Sequence, residues 1–362
     1  MKVASILGVR PQFVKASVVS RELRKKHEEI LIHTGQHYDS QMNKVFFEQL
    51  NIPEPDYHLN IGSGNHGYQT GEMLKKIEEV LIKEKPDLVL TYGDTNSTLA
   101  GALAASKLHI ETAHVESGLR SFDRSMPEEV NRILTDHCSD ILFCPTQNAV
   151  DNLKREGVTE NVHITGDVMV DSLLYNREIA ENRSTILSDL GLKSKGYLVA
   201  TIHRASNTDD EGNLKNIVDA FSELNETIIF PLHPRTEKLL KRYGLYDRLK
   251  SSVILTQPLG FLEFIKLMNH AKMMLTDSGG VQKEAYVLKV PCLTLRENTE
   301  WIETVEDGWN VLVGTDKEKI VKMVREFQPL LENHRDRFGD GDASKNIVSN
   351  LSQAFLNHFK YH

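Results

Sequence analysis

Short apolar runs of four to seven residues, many of them β-branched, alternate with amphipathic stretches along the whole chain. One series is Lys2–Gly8, Glu29–Thr34, Leu88–Tyr92, Glu111–Val115 and Ile141–Cys144, with helical stretches such as Val14–Lys26, Gly71–Glu84 and Ser97–Lys107 between them. A second is Tyr197–Ile202, Thr227–Leu232, Val253–Thr256, Met273–Thr276 and Cys292–Leu295. Apolar runs without clean alternation suit strands covered on both faces, as in parallel sheets with helical crossovers. Two such series predict an α/β chain with two Rossmann-like, doubly wound domains. Its 362 residues are also too many for one comfortable core. The pattern breaks at Asn182-Arg183-Ser184 and Ser194-Lys195-Gly196, so the boundary is expected within Asp171–Gly196, with domains over residues 1–172 and 173–342. The last helical stretch, Ala343–Lys360, is set apart as 343–362 because it is long enough to cross back to the first domain. No internal repeat or low-complexity segment interrupts this order.

A net charge of −8 supplies no global basic field for nucleic acid or an anionic membrane surface. A phosphorylated ligand would therefore have to be held by local cations. Cys138, Cys144 and Cys292 lack metal-type spacing and cannot all pair, which predicts buried thiols in a reducing compartment. The apolar start Val3–Val9 meets Arg10 too soon for a signal peptide and reads as a first strand. No run reaches the roughly 18–20 apolar residues of a membrane helix. A cytoplasmic protein without nucleic-acid or membrane partners is expected.

Ligands of open parallel sheets bind at the carboxyl ends of the strands, and with two domains the natural site is a cleft between them. These ends are rich in polar groups. Asp277-Ser278-Gly279-Gly280, with Gln282, Lys283 and Glu284, lies where Met273–Thr276 runs into a helix. Its glycines permit close backbone approach, the helix N-terminus offers free N–H groups to an anion, and Glu284 suits sugar hydroxyls. Gly8-Val9-Arg10-Pro11 with Lys15 offers a fork and a point charge to a pyrophosphate, although exposed cations near helix starts are mostly just solvated. Asp94, in Tyr92-Gly93-Asp94-Thr95, suits either catalysis or an N-cap worth about 0.5–2 kcal/mol.

Glu116 ends the next strand, in His114-Val115-Glu116-Ser117-Gly118-Leu119-Arg120. Pro127-Glu128-Glu129 then starts a helix whose dipole accounts for one of the two glutamates. Asp94, Glu116 and Glu128 converging on one sheet end would exceed what capping needs, and crowded carboxylates raise one another's pKa for acid and base work. His203-Arg204 and His233-Pro234-Arg235 add cationic strand ends, and a phosphate would favour protonated His203. The other histidines, including those within Asp56–His66 and near the C-terminus, read as ordinary polar residues. No G-x-G-x-x-G, Walker A or H-E-x-x-H motif is present, so no nicotinamide, nucleotide-hydrolysis or zinc chemistry is signalled.

Taken together, the motifs resemble the non-hydrolysing UDP-N-acetylglucosamine 2-epimerases. The resemblance spans the chain: Gly8-Val9-Arg10-Pro11 with Lys15, Thr34-Gly35-Gln36-His37, Gly93-Asp94-Thr95, His114–Arg120, Pro127-Glu128-Glu129 with Asn131-Arg132, His203-Arg204, and Asp277–Gly280 with Gln282 and Glu284. It implies the glycosyltransferase-B architecture and a two-step reaction without redox cofactor or metal. UDP leaves C1 as a carboxylate removes the C2 proton, and UDP returns to the 2-acetamidoglucal as a proton reaches the opposite face. By motif position Asp94, Glu116 and Glu128 would be the acid/base groups, and His203 would aid departure of UDP. Arg10, Lys15, Arg204, His233, Ser278, Gly279 and Gly280 would bind the substrate with Glu284, which would take the ribose. Gln36 and His37 match a regulatory substrate site, and a homodimer is the family expectation.

Two departures bear on the substrate. Trp301-Ile302 stand where many members have Arg-Pro, and Lys283 stands where many have a second glutamate. With Arg10-Pro11-Gln12, these look like the branch acting on UDP-2,3-diacetamido-2,3-dideoxyglucuronate. Lys283 would suit a uronate, or would simply lie on the outer face of its helix. A GT-B glycosyltransferase, a non-catalytic UDP-sugar sensor and a hydrolysing epimerase are the alternatives. A transferase has less need of three carboxylates, a sensor would have lost one, and a hydrolysing enzyme differs only in the fate of the glycal.

Overall fold

In a doubly wound sheet the first strand lies at the centre and later strands are added on alternate flanks, so sequence-distant strand ends become neighbours. The computed structural model describes residues 1–36 and 53–358. Its contacts divide the chain into one unit of Met1–Ser172 together with the segment starting at Phe338, and a second of Leu173–Arg337. The first sheet contains β1 (Lys2–Leu7), β2 (Glu28–His33), β3 (Tyr57–His58), β4 (Leu88–Tyr92), β5 (Glu111–Val115), β6 (Ile141–Cys144) and β7 (Val162–Ile164), in the order β3-β2-β1-β4-β5-β6-β7. The second contains β8 (Leu198–Thr201), β9 (Ile228–Pro231), β10 (Ile254–Thr256), β11 (Met273–Thr276), β12 (Cys292–Thr294) and β13 (Asn310–Leu312), in the order β10-β9-β8-β11-β12-β13. Every pairing is parallel, with Ala4 opposite Val89 in the first sheet and Met274 opposite Val199 in the second. Both are Rossmann-like α/β sheets, as the sequence predicts.

Both faces of the second sheet are covered, which is why its strands read as unbroken apolar runs. Leu198, Ala200, Ile228, Phe230, Met273 and Leu275 enter one core with helices Glu211–Glu223 and Lys317–Glu326. Val199, Ile229 and Met274 enter the core on the opposite face, with helix Phe261–Asn269. In the first unit Ala4, Ile6, Ile30, Ile32 and Val89 pack against helices His66–Glu84 and Asn96–Lys107. On the other face, buried Glu29 takes Ser5 Oγ at 2.6 Å and Arg24 Nε at 2.7 Å. Truncating a filled position such as Leu275 to Ala would cost about 2–5 kcal/mol.

Helix Ala343–His358 belongs to the first unit, where Asp171 accepts Ala343 N at 3.1 Å and Ser344 N at 2.7 Å. The three short strands β3, β7 and β13 were not expected, because two or three residues cannot set up an apolar run. Among the thiols, Cys144 and Cys292 are buried and pushed up to about 12 by burial, whereas Cys138 is only partly buried, contrary to expectation. No helix among the described residues is long and apolar enough to cross a membrane.

Candidate active site

In each unit the strand order reverses at a central pair, β1 with β4 and β8 with β11, and polar residues gather at the carboxyl ends of these pairs. In the first unit Gly8 follows β1. A Cβ there would lie 1.9 Å from Ser97 Oγ and 2.6 Å from Thr34 Oγ1, so glycine is required. Buried Gln12 fastens this turn to its neighbour, accepting Gly8 N at 2.7 Å and donating to Tyr92 O at 2.7 Å and Thr98 Oγ1 at 2.9 Å. Arg10 is exposed in the first turn of helix Arg10–Leu23.

The Asp94 alternative is resolved one residue further on. Thr95 is the N-cap of helix Asn96–Lys107 and accepts Thr98 N, which leaves the Asp94 carboxylate outside the cap. Its Oδ2 instead meets Arg132 Nε at 3.2 Å. Lys15 Nζ forms an ion pair with Glu116 Oε2. Gly93, at φ 68°, is enclosed by these groups, since a Cβ would meet Lys15 Nζ at 3.2 Å and Glu116 Oε2 at 3.3 Å. Glu116 holds a left-handed φ of 75°, which costs a non-glycine residue about 1–3 kcal/mol. The turn is kept there because Glu116 N and Ser117 N both donate to Phe143 O, at 3.1 and 3.0 Å.

Burial raises the pKa of Asp94. The Glu116 charge adds to the rise, Lys15 and Arg132 oppose it, and Glu128 raises it further. For Lys15, burial works against the charge, but Glu116 outweighs it, with Asp94 and Asp167 beyond, and the pKa stands above its ordinary value. Glu128 itself is exposed on the first turn of helix Pro127–Cys138. Its neighbour Glu129 is buried and accepts Ser121 N, Phe122 N and Arg132 Nη1, each at 2.9 Å. Asp94, Glu116 and Lys15 are thus brought together, and Arg132 links Asp94 to Glu129.

Gln36 Oε1 accepts Ser97 Oγ at 2.7 Å, and His37 lies outside the described residues.

In the second unit fully buried Asp277, just past β11, binds the turn after β8. It accepts His203 N at 3.1 Å, Arg204 N at 3.0 Å and Asn207 Nδ2 at 3.2 Å, and lies 3.2 Å from His203 Nδ1. Arg204 approaches Glu300, which Arg296 grips at 2.8 and 2.9 Å. Ser278 is the N-cap of helix Gly279–Val287, whose first two residues are the glycines. A Cβ on Gly279 would come within 3.0 Å of Glu300 Oε2. His233 caps helix Pro234–Arg242, its Nδ1 accepting Arg235 N at 3.2 Å, and Arg235 is engaged by Asp209 at 2.7 Å.

Burial pushes Glu284 up to about 7, with Lys283 opposing the rise. Lys283 is not on an outer face. It is 6% exposed, and its Nζ lies 4.5 Å from the centroid of the Trp301 ring. The amino edge of the second sheet has a cavity of about 330 Å³ lined by Lys195, Lys272, Lys289 and Arg325. Its cations lie near helix C-termini, where Lys195 Nζ donates to Asn269 O and Ala271 O, so it has an ordinary structural account.

Sequence reasoning missed the supports. Gln12 and Glu129 stand in quoted motifs without a supporting role assigned to them, and Asp136, which accepts Gly118 N at 3.0 Å and Arg120 Nη1 at 2.7 Å, stands in none. A signal was available in helix Pro127–Cys138, whose buried residues are Glu129, Asn131, Thr135 and Asp136, a polar stripe where a core helix should be apolar.

Two parallel sheets of this order, each with polar groups at its reversal, define the two-Rossmann-domain class of glycosyltransferase-B type. Residues 21–352 match the family UDP-N-acetylglucosamine 2-epimerase. A Methanococcus maripaludis UDP-N-acetylglucosamine 2-epimerase homolog is 60% identical over 97% of this chain and 99% of its own. The Pseudomonas aeruginosa UDP-2,3-diacetamido-2,3-dideoxy-D-glucuronate 2-epimerase is 50% identical over 98% and 100%. The Methanocaldococcus jannaschii UDP-GlcNAc 2-epimerase, in complex with UDP-GlcNAc and UDP, superposes with a TM-score of 0.82 at 50% identity, covering 98% of this chain and 100% of that one. The chain belongs to the UDP-N-acetylglucosamine 2-epimerase family.

Proposed function

We propose that this protein interconverts UDP-GlcNAc and UDP-ManNAc by inversion at C2. The observation that carries the reading is the cluster of Asp94, with its raised pKa, beside the Lys15–Glu116 ion pair. A weakly acidic C2–H needs a base on one face and an acid on the other, and two carboxylates in unlike surroundings suit those roles. One carboxylate takes the C2 proton, the C1–O bond to UDP breaks with its electron pair, and a C1–C2 double bond forms. UDP then adds back to C1 of the 2-acetamidoglucal while a second carboxylate gives a proton to the opposite face of C2. Protons and electrons balance without a hydride acceptor. Asp94, Glu116 and Glu128 are the acid/base set, and such groups contribute roughly 10²–10⁴-fold each.

Arg10, Lys15, Arg204, His233 and the N-terminus at Ser278-Gly279-Gly280 would hold the diphosphate, Glu284 the ribose, and His203 would stabilise departing UDP. Gln36 and His37 would take part in regulation by substrate. Asp277 fixes the His203 backbone and stands 3.2 Å from its Nδ1, which supports an oriented imidazole there.

Proton NMR with UDP-GlcNAc in deuterated water tests the reading: deuterium at C2 together with UDP-ManNAc is expected. Free ManNAc would mean hydrolysis, and neither exchange nor product would refute the assignment. A second reading, 2-epimerisation of UDP-2,3-diacetamido-2,3-dideoxyglucuronate, is favoured by buried Lys283 beside Glu284 and by the Pseudomonas relative. Offering both sugars to one preparation decides between them by kcat/KM. A cytoplasmic homodimer belongs to the same proposal. The three free thiols suit a reducing compartment, and light scattering measures the mass.

A further inference from the structure

Beside the carboxylates runs a chain of polar contacts, buried at its inner end, that the proposed chemistry does not use. His114, on β5, is wholly enclosed. Its Nδ1 is 2.7 Å from Asp136 Oδ1 and its Nε2 is 2.7 Å from Gly93 O. A carbonyl oxygen only accepts. Asp136 also accepts Gly118 N at 3.0 Å and Arg120 Nη1 at 2.7 Å, and Arg120 continues to Glu156 at 2.7 Å. Burial opposes the Asp136 charge, but the hydrogen bonds and charges of His114 and Arg120 prevail, and its pKa lies below the usual carboxylate range. The ring thus bridges a carboxylate and a backbone carbonyl, with both nitrogens engaged.

We infer that His114 is a positioning residue for Asp94: with one ring nitrogen on Asp136 and the other on Gly93 O, it holds the Gly93–Asp94 peptide.

The surroundings support this. Asp136 is held between His114 and Arg120, exposed Glu156 takes Arg120 and, at 3.3 Å, His137, and Cys144 on β6 is kept as a neutral thiol by burial and by the Asp136 charge. The Gly93-Asp94 backbone is held at three points: Gly93 N donates to Val115 O at 3.0 Å, Gly93 O meets His114 Nε2, and Asp94 O accepts Asn131 Nδ2 at 3.0 Å. Lys15, Glu116 and Arg132 face Asp94 beyond it. The Asp136 carboxylate grips Gly118 as well, so one acid steadies the turns bearing Asp94 and Glu116.

This inference rests on the epimerase reading, which the activity of the parent protein tests separately. In the first arm, nitrogen NMR of histidine-labelled protein follows ring N–H exchange. A slowly exchanging ring N–H, lost in His114→Gln, is expected from the enclosed ring, and exchange of that N–H at the free rate overturns the bridge to Gly93 O. In the second arm, His114→Gln keeps a donor but not the ring that reaches both Asp136 and Gly93 O. It should lower kcat for the UDP-sugar about 10- to 100-fold, with KM moving less than about threefold. Unchanged kcat, or a loss confined to KM, overturns the positioning role.

Discussion

Asp277 should be the anchor of the second unit's site, and Asp277→Ala tests that directly. The carboxylate is fully buried and serves His203 N, Arg204 N and Asn207 Nδ2. Asn207 Nδ2 keeps Leu295 O at 2.9 Å, so truncation orphans two backbone donors. At about 1–3 kcal/mol for each unmet buried group, the unit loses about 2–6 kcal/mol, with the low end reached if water enters the vacated volume. Asp277→Asn should cost much less, because one amide oxygen in the Oδ2 position still reaches all three donors. The assay is specific to this unit, since both tryptophans, Trp301 and Trp309, lie within it. Tryptophan fluorescence in urea should show the midpoint of the Ala variant lowered by roughly 1–3 M, taking m near 2 kcal/mol per M. An Ala variant within about 1 kcal/mol of the parent would refute the anchoring argument, and Asn as damaging as Ala would refute the hydrogen-bond count.

Glu284 holds its proton up to about pH 7 in the folded chain against 4.5 ordinarily, so the native state binds more protons across that window. Stability of the second unit should therefore fall by up to about 3 kcal/mol as pH rises through it, and Glu284→Gln should flatten that dependence in urea titrations read by tryptophan fluorescence. Arg132→Gln removes a cation that lowers the Asp94 pKa, so carboxyl-carbon NMR should show Asp94 titrating at higher pH than in the parent; a downward move would contradict the electrostatics. Gly8→Ala drives a methyl to 1.9 Å from Ser97 Oγ and should destabilise the first unit by about 1–3 kcal/mol, measured by hydrogen exchange of the β1 and β4 amides.

The central strands were legible because burial on both faces writes an unbroken apolar run, as in Met273–Thr276 between two cores. The edges were not, because Tyr57–His58 is too short to show any pattern. The cap at Thr95 rather than Asp94 was within reach of turn chemistry, since threonine and aspartate both cap and only the exact start of the helix chooses between them. The burial of Lys283 over Trp301 was beyond reach, because a helix phase uncertain by one residue moves a side chain through about 100°.

The site itself follows from strand order more than from any motif. Lys15, Asp94 and Glu116 are separated by 79 and 22 residues, too far for any local spacing rule to join them. Once the order β1-β4-β5 is accepted, neighbouring strands are about 4.8 Å apart, and residues just past their carboxyl ends must face one another. The same step carries His203 after β8 to Asp277 after β11. What strand order leaves open is which acid is charged, and that depends on supports reached from elsewhere. Arg132 comes from a helix, Lys15 from another, and His114 from within β5 itself. A chain that kept the strand-end acids but lost these supports would keep the strand order, while its carboxylates lost the cations and hydrogen bonds that hold them.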